Sequence, residues 1–65
     1  MKYYEKLKSI RIDQDRSQSS VAKEIGTTQQ QIYKYENGIQ SMTIERLIDL
    51  CKLYKVSADE VLGLK

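Results

Sequence analysis

The chain has no histidine, no proline and a single cysteine, Cys51, and only three glycines punctuate its 65 residues. One cysteine can neither close a disulfide nor assemble a thiolate zinc site within a chain, and without histidine the commonest proton carrier and metal ligand is missing. No metal and no small-molecule cofactor is expected. No apolar run approaches the roughly 18 residues that span a bilayer, and Lys2, Glu5, Lys6 and Lys8 interrupt the N-terminal segment. A soluble, cytoplasmic protein with no membrane partner is expected. The carboxylates Asp13, Asp15, Glu24, Asp49 and Asp59 are scattered over polar positions, and neither a Gly-rich phosphate loop nor a nucleophile–base pair is present, which argues against an enzyme.

Apolar residues make up 40% and charged residues 31% of the chain, and no Pro- or Ser-rich linker divides it. A chain of this length supports one core, so residues 1–65 are expected to form a single domain. The net charge of +2 permits a nucleic-acid partner without pointing to one.

Periodicity predicts five helices and no strand, an all-α fold. Tyr3, Leu7, Ile10 and Arg11 recur at helical spacing from Tyr3 towards Asp15, with the last turn fraying around Asp13 to Arg16. Ser17 is placed to cap a second helix with Val21, Ala22 and Ile25 facing inward, and Gly26 to stop it. Thr28 caps a third helix almost at once, with Gln31 completing a capping box, and Asn37-Gly38 ends it because both residues tolerate positive φ. Two short helices joined by three residues form a helix-turn-helix pattern, the second helix exposed. Thr43 caps a fourth helix carrying Leu47, Leu50, Cys51 and Tyr54 on one stripe, widened by Ile48 and Leu53. Ser57 and Glu60 form a second capping box, opening a fifth helix whose Val61 and Leu62 close the core before Gly63. On that stripe Cys51 reads as a small buried thiol.

On the third helix, about 100° per residue sends Thr28, Ile32 and Tyr35 one way and Gln30, Tyr33, Lys34 and Asn37 the other, with Gln29 on the flank. Amides, a phenol and an ammonium have no packing purpose there, but they match what a major groove offers. A Gln amide can engage N7 and the N6 amino group of adenine together. Without such a partner Gln29 and Gln30 would be a solvated helix face. Lys34 is expected at a base or a phosphate, and Tyr33 at a sugar or a thymine methyl. Gln31 is accounted for by capping. Arg11 lies on an apolar stripe, where a cation needs an anion or a path to water, and Glu36 is the best candidate partner.

Leu7 to Arg11, Ser17-Gln18, Ala22, Ile25-Gly26, Thr28, Ile32, Tyr35-Glu36-Asn37-Gly38, Leu47, Val56-Ser57 and Asp59 to Leu62 together resemble the Cro/C1-type helix-turn-helix family, also called XRE, over residues 3 to 64. The resemblance implies a compact five-helix, lambda-repressor-like domain that binds double-stranded DNA as a transcriptional regulator, most simply a repressor. Gly26-Thr27-Thr28-Gln29-Gln30 is similar to lambdoid phage repressors, which implies base reading by Gln29 and Gln30. It also implies that Gln18 contacts a phosphate and braces Gln29, that Thr28, Asn37 and Gly38 help position the DNA backbone, and that Arg11 and Glu36 form a structural pair. The loop Ile39-Gln40-Ser41-Met42 departs from many relatives in carrying no Lys or Arg. No appended dimerisation domain is expected, and if the chain forms a homodimer, the resemblance implies a contact through Val61 to Leu64. The alternative is a protein-interaction module, antitoxin-like or an anti-regulator subunit, using the same fold.

Overall fold

The computed structural model describes residues 1–64. Its elements are α1 (Tyr3–Asp13), α2 (Gln18–Ile25), α3 (Gln29–Glu36), α4 (Ile44–Tyr54) and α5 (Ala58–Leu62), with no strand among the described residues. Four of the five helices start on a hydroxyl. Ser17, Thr28, Thr43 and Ser57 each accept from the backbone N–H three residues on, at 3.0 to 3.1 Å. Such a bond satisfies one of the orphan donors of the first turn. The reciprocal half of the boxes expected at Thr28 and Ser57 is absent from the hydrogen bonds found, so Gln31 and Glu60 do not reach back. At α1 the reverse holds: Glu5 Oε1 accepts from the Lys2 N–H at 2.8 Å, although Lys2 offers no capping acceptor.

Helix ends differ more from expectation. The first helix stops at Asp13, and Asp15 takes a left-handed φ of 56° while the Arg16 N–H reaches back to the Arg11 carbonyl. Lys55 ends α4 in the same conformation, φ 58°, with the Val56 N–H on the Cys51 carbonyl. Half-buried Val56 packs against the core there, which offsets the steric cost of a non-glycine residue at that angle. At the end of α3 only Gly38 has positive φ, 69°; Asn37 stays at −103°. The positive φ calls for glycine, and a Cβ there would also lie 2.6 Å from the outer end of the Tyr4 ring, so that side chain would have to shift.

All five helices contribute to one core cluster of Leu7, Val21, Ala22, Ile32, Tyr35, Leu50, Cys51, Tyr54 and Val61. The α1 helix packs on α3, α4 and α5, and α2 packs on α3 and α4. Arg46 Nη1 also donates to the Ile25 carbonyl at 2.7 Å and ties α4 to the end of α2, a tether no sequence pattern suggested. Two apolar assignments change. Leu62 and Ile48 are 43% and 42% exposed, because the core is already closed by Val61 and by the Leu50–Cys51–Tyr54 stripe. The expected dimer segment Val61 to Leu64 therefore loses Val61 to the core and keeps Leu62 and Leu64 on the surface.

Burial pushes the Cys51 thiol up, and pushes the Tyr54 phenol up to about 12, with Glu36 adding to the shift and Arg11 and Arg16 opposing it. The folded state thus holds the Tyr54 proton more tightly than the unfolded chain, whose phenol titrates near its ordinary value. Stability from this group is fully present below about pH 10 and is lost as pH rises towards about pH 12, a loss on the order of 2 kcal/mol. Urea unfolding across this window should show the decline, and Tyr54→Phe, which keeps the ring without the titration, should flatten it.

Candidate nucleic-acid interface

The α2–α3 unit is built from opposite faces. Ile32 is 1% exposed and Tyr35 is buried beside it, so these two side chains seat α3 against Val21 and Ala22 within the same cluster. Burying a side chain such as Ile32 contributes roughly 1.5–3 kcal/mol, enough to hold an eight-residue helix that would not persist in isolation. The opposite side of α3 is left free: Gln29, Gln30, Tyr33 and Lys34 are all exposed, Tyr33 at 49%. Thr28 is exposed as well, contrary to the inward position the helical wheel assigns it, because its hydroxyl turns to the Gln31 N–H. Gln31 is half-buried.

These four α3 side chains line one shallow cleft together with Ile39, which is 63% exposed. Ile39 lies just past the helix, its N–H on the Lys34 carbonyl at 2.9 Å, and the Gly38 turn folds it back beside Tyr33 and Lys34. Sequence reasoning treated Ile39 only as part of an uncharged loop. The available signal was an apolar residue directly after a helix-ending glycine, the position that commonly packs back on the last turn.

Beneath this surface runs a polar network joining three helices. Arg11 Nε donates to Glu36 Oε2 at 2.7 Å and Arg11 Nη2 to Glu36 Oε1 at 3.1 Å, while Nη1 donates to the Arg16 carbonyl at 2.8 Å. Arg11 and Glu36 are 8% and 6% exposed, and the fork-on-carboxylate geometry is what a desolvated pair requires. The hydrogen bond to Glu36 raises the Arg11 guanidinium above its ordinary value against the opposing effect of burial. Among the described residues no buried side-chain nitrogen or oxygen lacks a partner.

Glu36 Oε1 also accepts from Gln18 Nε2 at 3.0 Å, and Gln18 Oε1 accepts from Gln29 Nε2 at 2.6 Å. Six of the ten sequence-predicted site residues are therefore grouped around α3's exposed start and middle or linked to it: Gln18, Thr28, Gln29, Gln30, Tyr33 and Lys34. Arg11 and Glu36 lie behind them. Asn37 and Gly38 sit at the far end, with Asn37 Nδ2 donating to the Tyr33 carbonyl at 2.8 Å. The Gly38 N–H, a donor that could otherwise help position the DNA backbone, donates to the Tyr35 carbonyl at 3.2 Å inside the turn. Its role in this arrangement is the turn itself.

Among the described residues no group of His, Cys, Asp or Glu could hold a metal ion, and no helix is long and apolar enough to cross a membrane. A family profile described as helix-turn-helix matches residues 7–61, which takes in all of α2, α3 and α4. No curated protein matches the chain.

Proposed function

The chain belongs to the Cro/C1-type (XRE) helix-turn-helix family of DNA-binding transcription regulators, and from that premise we propose that it is a sequence-specific repressor that reads duplex DNA in the major groove with α3. The observation that carries this reading is the exposed row of Gln29, Gln30, Tyr33 and Lys34 on a helix whose other face is locked into the core. In it Gln29 and Gln30 contact base edges. Lys34 meets a base or a phosphate, and Tyr33 packs on a sugar or a thymine methyl. In the same reading Gln18, Thr28 and Asn37 contact the DNA backbone, donating to phosphate oxygens with the second amide hydrogen of each amide and with the Thr28 hydroxyl proton.

Selection of binding sites from random duplex DNA tests the proposal. A selected motif with adenines that disappear when Gln29 and Gln30 are replaced supports it, and failure to enrich any sequence rules it out. The loop from Ile39 to Met42 carries no cation, so few phosphates are neutralised there. Each neutralised phosphate adds about 0.9 to the slope of log affinity against log salt, and a shallow slope is expected in gel shifts across salt concentrations. Lys34→Ala should make it shallower still.

One such unit reads a short half-site, and two-fold dimers with half-sites about one DNA turn apart are the usual remedy. In this proposal the exposed Leu62 and Leu64 form the contact between copies. Sedimentation at rising concentration, with and without a selected duplex, is expected to show the dimer; a monomer mass throughout would rule the contact out.

A further inference from the structure

A second cleft lies between α1 and the end of α3, and Tyr4, Glu5, Lys8, Ser9, Glu36 and Asn37 line it. Tyr4, Lys8 and Arg11 stand at positions i, i+4 and i+7, so they share one stripe of α1. Arg11 is bonded to Glu36 in the last turn of α3, which sets that stripe against this end of the helix. The outer end of the Tyr4 ring abuts Gly38, the residue between Asn37 in this cleft and Ile39 in the cleft of Gln29, Gln30, Tyr33 and Lys34. The two clefts therefore flank a single turn. The chemistry of the second one is a set of donors: an ammonium from Lys8, hydroxyls from Tyr4 and Ser9, and the Asn37 amide. Lys8 is half-buried and has no ion-pair partner among the described residues. Of the two carboxylates, Glu36 is paired with Arg11, and Glu5 accepts from the Lys2 N–H. Around α3 itself cations are scarce, since the helix contributes Lys34 alone and residues 39–42 contribute none.

We propose that this cleft takes a phosphate of the DNA backbone, with Lys8 as its cation, so that α1 supplies the charge that the loop after α3 lacks. The inference rests on the reading of α3 as the groove-reading helix. Eight residues make α3 about 12 Å long, and the major groove is about 12 Å wide. With its base contacts at its start, α3 brings its far end to the wall of the groove, where the phosphates run. Lys8 meets such a phosphate as a compact charge on a flexible stem, while the hydroxyls of Tyr4 and Ser9 and the second amide hydrogen of Asn37 donate to its oxygens. Glu5, exposed on the same cleft, opposes the anion through its own charge. Lys8 is a positioning residue in this arrangement and carries no base preference.

The test uses the full chain and a duplex selected by it, in which neutral methylphosphonate linkages replace the backbone phosphates one at a time. At the linkage seated in the cleft the unaltered protein should lose about three- to tenfold in affinity. Lys8→Gln should lose a similar amount on the unmodified duplex and be indifferent to that one linkage, with a salt slope shallower by about 0.9. Lys8→Arg, which keeps the charge, should restore the slope. The loss in Lys8→Gln should extend to unrelated duplexes and leave every base preference as it was. Glu5→Gln keeps an acceptor for the Lys2 N–H and removes the opposing charge. It should tighten binding to any duplex by about twofold, a gain that damage to the fold would not give. An unchanged salt slope in Lys8→Gln overturns the inference. So does a Lys8→Gln protein as sensitive to every linkage as the unaltered one, which is what a merely structural role would give. In either case a base preference erased by Gln29→Ala leaves the reading of α3 standing. If Gln29→Ala changes no preference anywhere, that reading fails and the inference falls with it.

Discussion

Arg11→Ala is expected to lower the melting temperature by about 15 °C or more, the largest stability effect of any single change away from the apolar core. Removing one member of a buried pair typically costs about 3–5 kcal/mol, because the other charge is left desolvated without its partner. Glu36, 6% exposed, would keep only the neutral Gln18 donor. For a domain of this size the whole stability is on the order of 3–10 kcal/mol, and each kcal/mol moves the midpoint by about 4–8 °C. The Arg16 carbonyl would lose its donor in the same step, loosening the left-handed turn at Asp15. Thermal melts followed by circular dichroism check the value. An unchanged midpoint with weakened DNA binding would instead make Arg11 a DNA contact. Replacing Arg11 and Glu36 together by Met should recover much of the loss, since no unpaired charge remains.

What could be read in advance divides along the range of the interactions involved. Helix starts depend on chemistry within a single turn, and Ser17, Thr28, Thr43 and Ser57 each announce themselves as a hydroxyl before an apolar periodicity. Ends were harder to read. Asp15 and Lys55 adopt an angle that neither residue type prefers, and the cause lies outside the turn itself: Val56 packs against the core, and Arg11, held by Glu36 25 residues away, donates to the Arg16 carbonyl. The Arg11–Glu36 pair spans 25 residues, yet a cation on an apolar stripe implies some anion, and Glu36 beside buried Tyr35 is the natural one. No comparable rule leads from Gln18 to Glu36. Their bond exists because the start of α2 meets the end of α3, a crossing set by how Val21 and Ile32 pack. The helical wheel misplaced Thr28 for a related reason, since a cap residue does not have helical backbone angles.

Replacing Gln29 and Gln30 together by alanine should weaken binding to a selected duplex by about 100-fold or more while the melting temperature stays within about 2 °C, given contacts worth roughly 1–3 kcal/mol each and substitutions at exposed sites. The two halves of this expectation come from different parts of the structure. Both side chains are exposed, and α3 is held by Ile32, Tyr35 and Glu36, none of which the change disturbs. Alanine also favours the helix slightly more than glutamine does. Binding to unrelated DNA, carried by phosphate contacts, should fall far less, and its salt dependence should not change. Lys34→Ala should show the opposite pattern if Lys34 meets a phosphate: weaker binding to every sequence and a smaller salt slope. Equal losses on selected and unrelated duplexes in the double variant would show that Gln29 and Gln30 position the backbone instead of reading bases. Because Gln29 is tethered and Gln30 is not, the single variants should also differ. Gln29→Ala should relax one base step sharply, whereas Gln30→Ala removes a side chain that must be ordered on binding and so loses less.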